Sequence, residues 1–398
     1  MKVALVVDGL QVGGIERVCL DYCKLFLELG YNVTIFNLRP NLNQLEKEVP
    51  NGIKIVHLNF PRWLAPEKYA KLVKYNFIDK LIYPFMYIIL SIIDYIYKSI
   101  CKACYEECRT KYNYAISFSS HFNDLTFVAD HFVRSQNTMS WSHGAIYSYL
   151  LMSDGYINLY NKIKNIVVLV DDAQEEVIAY NHNLNLNIYK LYNPSFVRTR
   201  KINKEKVAKL KEKYGKFFLM VSRFQYPHKD QFTVIKAFDR LVTEYKVNCS
   251  LVFIGDGPDK EKAEKLVNEL PPRIKNKIHF LGTKLDVQNY YSAAYALVHA
   301  SVAGEGLPTI MIEAMNYGLP EVVTDSKTGP REILGDNKYG MLCKVKDPRD
   351  MSTKMYEILT NQKLYTHLQE IEKKRVKDFD PKVIKNKLNS ILQQINGD

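Results

Sequence analysis

The chain opens on Lys2-Val-Ala-Leu-Val-Val-Asp8, a continuous apolar run bounded by Gly9, the pattern of a strand buried on both faces of a parallel sheet. After Gly13 and Gly14 the period becomes helical. Ile15, Val18, Cys19, Tyr22, Leu25, Phe26 and Leu29 fall on one stripe, and Gly30 supplies a C-terminal stop. A second strand, Asn32 to Leu38, follows at once, so the start of the chain predicts a βαβ unit with a right-handed crossover. Residues 62–112 mix Tyr, Phe, Ile and Leu with Lys and Arg and read as a long helical insertion. Strands are expected again at Tyr114 to Ser119, Thr138 to Ser142 and Asn165 to Val170. Asn193-Pro194 and the basic Arg198 to Lys206 stretch read as a linker.

The alternation then repeats. Phe217 to Phe224 is a buried strand, Asp230 to Tyr245 a helix, and further strands are expected at Ser250 to Ile254, Lys277 to Leu281, Tyr295 to Ala300 and Glu321 to Asp325. After Asp378-Phe-Asp-Pro381 an amphipathic helix runs from about Lys382 to Ile395. The expected class is α/β, with two Rossmann-like doubly wound domains: residues 1–195 carrying the insertion, residues 196–378, and a terminal helical segment, 379–398.

Composition narrows the function classes. The 398 residues are 47% hydrophobic and 25% charged, an ordinary globular balance that excludes a disordered tail or a disulfide-stapled mini-protein. The net charge of +12 favours anionic partners without choosing among nucleotides, lipid surfaces and nucleic acid. No nucleic-acid-binding module is visible, and the basic residues are spread along the chain, so a nucleic-acid partner is not expected. Seven scattered cysteines and no secretory leader predict free thiols in a reducing cytoplasm. Cys101, Cys104 and Cys108 share one helix face and read as buried thiols rather than metal ligands. Leu81 to Ile93 is uncharged but short of the ~20 residues of a spanning helix. The aromatic and basic content of 62–112 fits an amphipathic subdomain packed on the first sheet. It also fits a helix lying in a membrane interface, and peripheral contact with an anionic membrane on its inner face is expected.

Ligands of open parallel sheets bind beyond the carboxyl ends of strands, where helix N-termini offer N–H groups to anions. The first such turn, Gly9 to Gly14, is not GxGxxG, which argues against a nicotinamide enzyme. Gly13 and Gly14 serve equally as a tight turn or as a ligand contact. In the second domain Val221-Ser222-Arg223 ends a strand and Lys229 precedes a helix, and a forked and a pointlike cation there can neutralise a diphosphate. The fuller signal is Glu305-Gly306-Leu307-Pro308-Thr309-Ile310 followed by Glu313. Pro308 suits the first helical position. Eight helical positions span ~12 Å, too far for the paired carboxylates of glycoside hydrolysis, so the two glutamates need separate partners. A nucleotide sugar supplies them, with hexose and ribose hydroxyls at its ends and a diphosphate between them facing the N–H groups of Leu307, Thr309 and Ile310.

Gly13-Gly14-Ile-Glu-Arg17, Val221-Ser-Arg223 with Lys229, Ile254-Gly-Asp-Gly-Pro258, Phe280-Leu-Gly282 and Glu305-Gly-Leu-Pro with Glu313 together resemble glycosyltransferase family 4, the retaining enzymes of the GT-B fold. The resemblance covers nearly the whole chain and implies two domains facing a central cleft. It implies that Arg223 and Lys229 hold the donor diphosphate, that Glu305 contacts the transferred sugar and that Glu313 binds the ribose. Gly13 and Gly14 would lie against donor phosphate and acceptor, and His143 in Trp141-Ser-His-Gly144 would stand near the reacting centre. The terminal helix looks like the segment that crosses back onto the first domain. Asp230, Glu321 and Ser326-Lys-Thr-Gly-Pro330 depart from the family pattern. An Asp-x-Asp triplet to bridge a divalent metal to the diphosphate is not expected in the chain, so metal-independent action without a cofactor is expected. The expected function is transfer of a hexose from a nucleotide sugar, uridine-linked, to a glycan or lipid-linked acceptor in bacterial surface polysaccharide assembly. The competing readings are a nucleotide-sugar epimerase and a non-catalytic glycan- or lipid-binding protein.

Overall fold

The computed structural model describes the 398-residue chain apart from residues 75–76, 145–152, 172–174, 177–178, 180–185, 197–200, 303–304, 328 and 398, and apart from the side chains of 73 and 74. Part of the linker read at Arg198 to Lys206, and Thr328 of Ser326 to Pro330, lie outside the described residues. The chain forms two compact units, Met1–Pro194 with Ile384–Asp398, and Ser195–Val383.

Unit 1 is built on a seven-stranded sheet. Its strands are β1 (Lys2–Val7), β2 (Asn32–Asn37), β3 (Lys54–His57), β4 (Lys111–Ser117), β5 (Arg134–Ser142), β6 (Asn165–Val168) and β7 (Asn187–Lys190). Their order is β3-β2-β1-β4-β5-β6-β7 and all pairings are parallel. β1 is apolar along its length because it is central: Val3 pairs with Val33 on one side and Tyr114 on the other. The helix Gly14–Glu28 turns Val18, Tyr22, Leu25 and Phe26 inward, where Tyr22 packs edge-on to Trp141. Between β3 and β4 the insertion is helical, with a 3-10 segment Pro66–Lys74, a long helix Phe77–Cys104 and a single turn Glu106–Arg109. Cys101 and Cys108 are buried as expected, but Cys104 is exposed, because it sits at the helix end, past the face that packs inward.

The terminal helix is Pro381–Gly397, and from Ile384 on it belongs to unit 1, so the return begins later than residue 379. It buries Ile384, Leu388 and Leu392. The Tyr114 hydroxyl donates to the Leu392 carbonyl at 2.6 Å, and Lys385 pairs with Glu28 at 2.8 Å.

Unit 2 holds a six-stranded sheet of β8 (Phe217–Val221), β9 (Ser250–Ile254), β10 (Ile278–Phe280), β11 (Ala296–His299), β12 (Glu321–Thr324) and β13 (Met341–Cys343). Its order is β10-β9-β8-β11-β12-β13, again parallel. The helix Gln231–Glu244 buries Val234, Ile235, Phe238 and Leu241 against this sheet and packs beside the helix Pro348–Thr360. In both sheets the strand order reverses next to the first strand, between β1 and β4 in unit 1 and between β8 and β11 in unit 2. In open parallel sheets such a reversal is where a ligand crevice forms beyond the carboxyl ends of the strands, and each unit has one.

Candidate functional site

In unit 2 the reversal sets two strand ends side by side. β8 runs out into Ser222 and Arg223, and β11 ends at His299. Gln231 is buried and ties the first of these down, its amide donating to Ser222 Oγ at 2.9 Å and to the Arg223 carbonyl at 3.0 Å. The Gly-Asp-Gly segment fits against the same loop: a Cβ on Gly255 would stand 2.0 Å from the Ser222 carbonyl oxygen, and its φ of +138° is a conformation open to glycine. Arg223 itself is exposed.

Lys229 is fixed from both sides. The Asp230 N–H donates to the Ala300 carbonyl at 2.8 Å, and the Val302 N–H donates to the Pro227 carbonyl at 2.9 Å, so the Lys229 turn is laced to the exit of β11. Glu305 is laced in turn to the segment after β12. Its N–H donates to the Lys327 carbonyl at 3.2 Å, and its carbonyl accepts from the Gly329 N–H at 3.1 Å. A Cβ at Gly329 would fall 1.5 Å from the Gly306 carbonyl, so the departure from the family pattern at 326–330 keeps its glycine where the backbones touch.

These turns converge three side chains. Lys229 Nζ pairs with Glu305 Oε1, and His299 Nε2 lies 3.0 Å from Glu305 Oε2. Because a carboxylate only accepts, His299 donates through Nε2. Lys229 Nζ, 3.4 Å from that nitrogen, is then a second donor converging on the same carboxylate. Burial lowers the His299 pKa against the pull of Glu305, so the ring is neutral, and its buried Nδ1 has no hydrogen-bond partner among the described residues. Burial alone would raise the Glu305 carboxyl, but His299 and Lys229 outweigh it and draw the group down to about 2. The cluster therefore carries a fixed carboxylate and a lysine held on it, while Arg223 stands exposed just past the end of the neighbouring strand β8.

The structure thus brings Lys229 and Glu305 into contact and leaves Glu313 with a different partner. Glu313 lies on the helix Thr309–Asn316 and accepts from the Tyr291 hydroxyl at 3.1 Å. Pro308 occupies the cap of that helix and not its first helical position, since its ψ of 106° is extended. Among the described residues no side chain caps the helix, and Gly306, Leu307, Thr309 and Ile310 line its entry. His299 is a site residue that the sequence does not single out. The available signal is a polar residue closing the otherwise apolar run Tyr295 to Ala300, at the end of a strand where ligands bind. Contrary to the expectation that the chain lacks an Asp-x-Asp triplet, Asp378-Phe379-Asp380 is one, but it has a structural use: Asp378 pairs with Arg375 at 2.9 Å, and Asp380 accepts from the Lys382 N–H at 2.9 Å.

Unit 1 offers a polar cluster at its own reversal. Asp8, just past β1, is buried, accepts from the Asn123 amide at 3.0 Å and lies 3.3 Å from His121 Nδ1. That contact raises the His121 pKa. His143 closes β5 and donates through Nε2 to the Phe118 carbonyl at 2.7 Å, leaving Nδ1 as an acceptor. Burial pushes its pKa down to about 4, so it is neutral near pH 7. Gly13 caps the helix Gly14–Glu28, and the space where a Cβ on Gly14 would stand is open. Asp8 and His121 are likewise invisible in the sequence, because an isolated Asp and His carry no spacing signal.

Residues 201–375 match the family of glycosyl transferases group 1, and Arg223, Lys229, Glu305 to Ile310 and Glu313 all fall inside that match. The chain is similar to an uncharacterized glycosyltransferase of Methanocaldococcus jannaschii, 28% identical over 218 residues, 53% of this chain and 51% of that one. It is also similar to the N-acetylgalactosamine-N,N'-diacetylbacillosaminyl-diphospho-undecaprenol 4-alpha-N-acetylgalactosaminyltransferase of Campylobacter jejuni, 31% identical over 178 residues, 44% of this chain and 47% of that one. The chain thus spans about half the length of the curated relatives it matches. Along its whole length it shares the architecture of Anabaena Alr3699/HepE, solved in complex with UDP and glucose, with a TM-score of 0.73 at 16% identity over 99% of this chain and 100% of that one. The two-domain, parallel-sheet α/β architecture is the GT-B fold of glycosyltransferases.

Proposed function

We propose that the chain is a glycosyltransferase of the retaining, family 4 type. It moves a hexose from a uridine diphosphate sugar to a glycan or lipid-linked acceptor in the assembly of a bacterial surface polysaccharide. The observation that carries this reading is the Lys229–Glu305–His299 cluster at the strand-order reversal of unit 2, beside Arg223 and an uncapped helix entry. Glu305, ionised at any physiological pH, accepts hydrogen bonds from hexose hydroxyls, and Glu313 serves the ribose. The leaving diphosphate gathers negative charge as the sugar–phosphate bond breaks, and Arg223, Lys229 and the amides of Leu307, Thr309 and Ile310 stand where that charge grows. Lys229 is held on Glu305 beforehand, so the donor phosphate competes for a cation already positioned rather than ordering a free one. His143, neutral with Nδ1 open as an acceptor, suits a hydroxyl of the acceptor or the transferred sugar, with Gly13 and Gly14 allowing close backbone approach. The departing phosphate oxygen takes the acceptor proton, so no dedicated nucleophile or metal is required.

The test is thermal stabilisation by uridine, guanosine and adenosine diphosphate sugars, followed by turnover of the best binder with and without EDTA. Arg223→Ala and Glu305→Ala are each expected to cost about 10²-fold or more in kcat, with EDTA harmless. Undiminished turnover in both variants, donor isomerisation without any acceptor, or a loss in EDTA restored by magnesium would each overturn the reading as written.

A further inference from the structure

The helix Phe77–Cys104 has one satisfied face and one bare one. On the first, Leu90, Asp94 and Cys101 are buried. The Tyr97 hydroxyl donates to the Asn59 carbonyl at 2.6 Å, and Lys98 donates to the Asp130 carbonyl at 3.0 Å. On the second, Ile78, Ile82, Phe85, Ile89, Ile92 and Ile96 recur at steps of four and three and are 51–71% exposed. Positions 81, 88 and 95 widen this stripe by a column. The stripe runs ~27 Å and exposes on the order of 1,000 Å² of apolar surface, above the few hundred usual on a monomer. It is not a spanning segment, since among the described residues no helix is long and apolar enough to cross a membrane.

Charge decides what covers it. No charged residue lies between Lys80 and Asp94. Residues 62–104 carry seven Lys or Arg against three acids, Glu67, Asp79 and Asp94. Glu67 and Asp94 are buried, and Asp79 is half-buried and already engaged. Arg62, Lys71 and Lys80 are exposed on and beside the helix, and Trp63 is 51% exposed on the adjoining segment. A second copy docked face to face would bring these like charges together and lacks the alternating acid and base flanks by which paired helices recognise each other. An anionic lipid surface matches them, with apolar side chains at the acyl boundary and lysines and a tryptophan at head-group depth.

We propose that the bare face of Phe77–Cys104 is a docking surface for an anionic bilayer. The proposed transfer to a lipid-carried acceptor gives this contact its purpose, whereas its evidence is the helix alone. The test is flotation of the full chain with vesicles of phosphatidylcholine alone and of phosphatidylcholine with about one third phosphatidylglycerol. Binding is expected on the anionic vesicles at low salt and is expected to weaken on the order of ten-fold in high salt. Lys71→Gln with Lys80→Gln should weaken it on the order of ten-fold, and Phe85→Glu with Ile89→Glu should lose it at least ten-fold. These positions are exposed, so the variants should keep the parent's circular dichroism and its stabilisation by UDP. Absence of flotation at low salt, or full flotation of the Phe85→Glu, Ile89→Glu variant, overturns the proposal. A lipid-free dimer that this variant dissociates also overturns it and assigns the face to a second copy. Flotation without UDP stabilisation would sink the donor reading and leave the docking surface standing.

Discussion

Glu305 shows what the sequence carries at the level of one side chain and what it withholds. Its place in a glycine-flanked turn after a strand was legible, because the turn chemistry and the apolar run before it are local. Its partner His299 was not, because the contact depends on β11 ending where the Glu305 turn folds back over it. In that geometry the His299 Nε2–H pins one carboxylate oxygen while Lys229 holds the other. His299→Leu removes that donor and with it one of the two partners that depress the Glu305 pKa. A depressed carboxyl loses its charge as pH falls through the folded value, so the acid limb of kcat/KM should move from near pH 2 towards neutrality in this variant. His299→Gln, which keeps an N–H donor, should restore the limb in large part. An acid limb identical in the Leu variant and the parent would remove His299 from the site, whatever happened to stability.

At the scale of elements the central strands and one edge, β10 at Ile278–Phe280, were legible, and the other three edges were not. β1, β8, β9 and β11 are buried on both faces and read as apolar runs. β3, β7 and β13 were not anticipated: they lie at sheet edges and are short, and Lys54-Ile-Val-His57 and Asn187-Ile-Tyr-Lys190 are half polar, as edge strands usually are. Asp230, a departure from the family pattern, turns out to be an element-level device. It caps the helix Gln231–Glu244, accepting from the Thr233 N–H at 3.1 Å and the Thr233 hydroxyl at 2.6 Å, while its own N–H anchors the Lys229 turn to β11. Asp230→Ala should cost about 1–2 kcal/mol, a fall in Tm of a few degrees on a unit of this size. It should also weaken stabilisation by a uridine diphosphate sugar: the backbone N–H to Ala300 survives the substitution, but the helix start that carries the Lys229 turn frays without its side-chain cap. Asp230→Asn, which still caps, should recover most of both losses. A helix that melts no earlier in the Ala variant would show that the cap is idle.

Across the whole molecule, charge is distributed with two opposite consequences for pH. Glu305 is held ionised and favours the folded state above the acid range, whereas Glu321 and Glu372 do the reverse. Both are fully buried in unit 2, Glu321 at the start of β12 and Glu372 on the helix Gln362–Arg375, where the Glu321 backbone approaches the Glu372 carboxyl and, among the described residues, no side chain pairs with either acid. Burial raises both pKa values, and at Glu372 the nearby Glu321 adds to the rise. A raised carboxyl binds its proton more tightly folded than unfolded, so the native state takes up more protons than the unfolded chain. The stability this contributes is fully present below the unfolded value near ~4.3 and is lost as pH rises through the folded values. Unit 2 should therefore melt at progressively lower temperature as pH rises above the unfolded value into the alkaline range. Glu372→Gln keeps the shape of the protonated acid without its ionisation. It should flatten that slope and raise Tm at the alkaline end on the order of 3 °C or more, while changing little near pH 5. A slope unchanged by Glu372→Gln and by Glu321→Gln alike would mean that the pair reaches water in solution and that the pH dependence of the chain arises elsewhere.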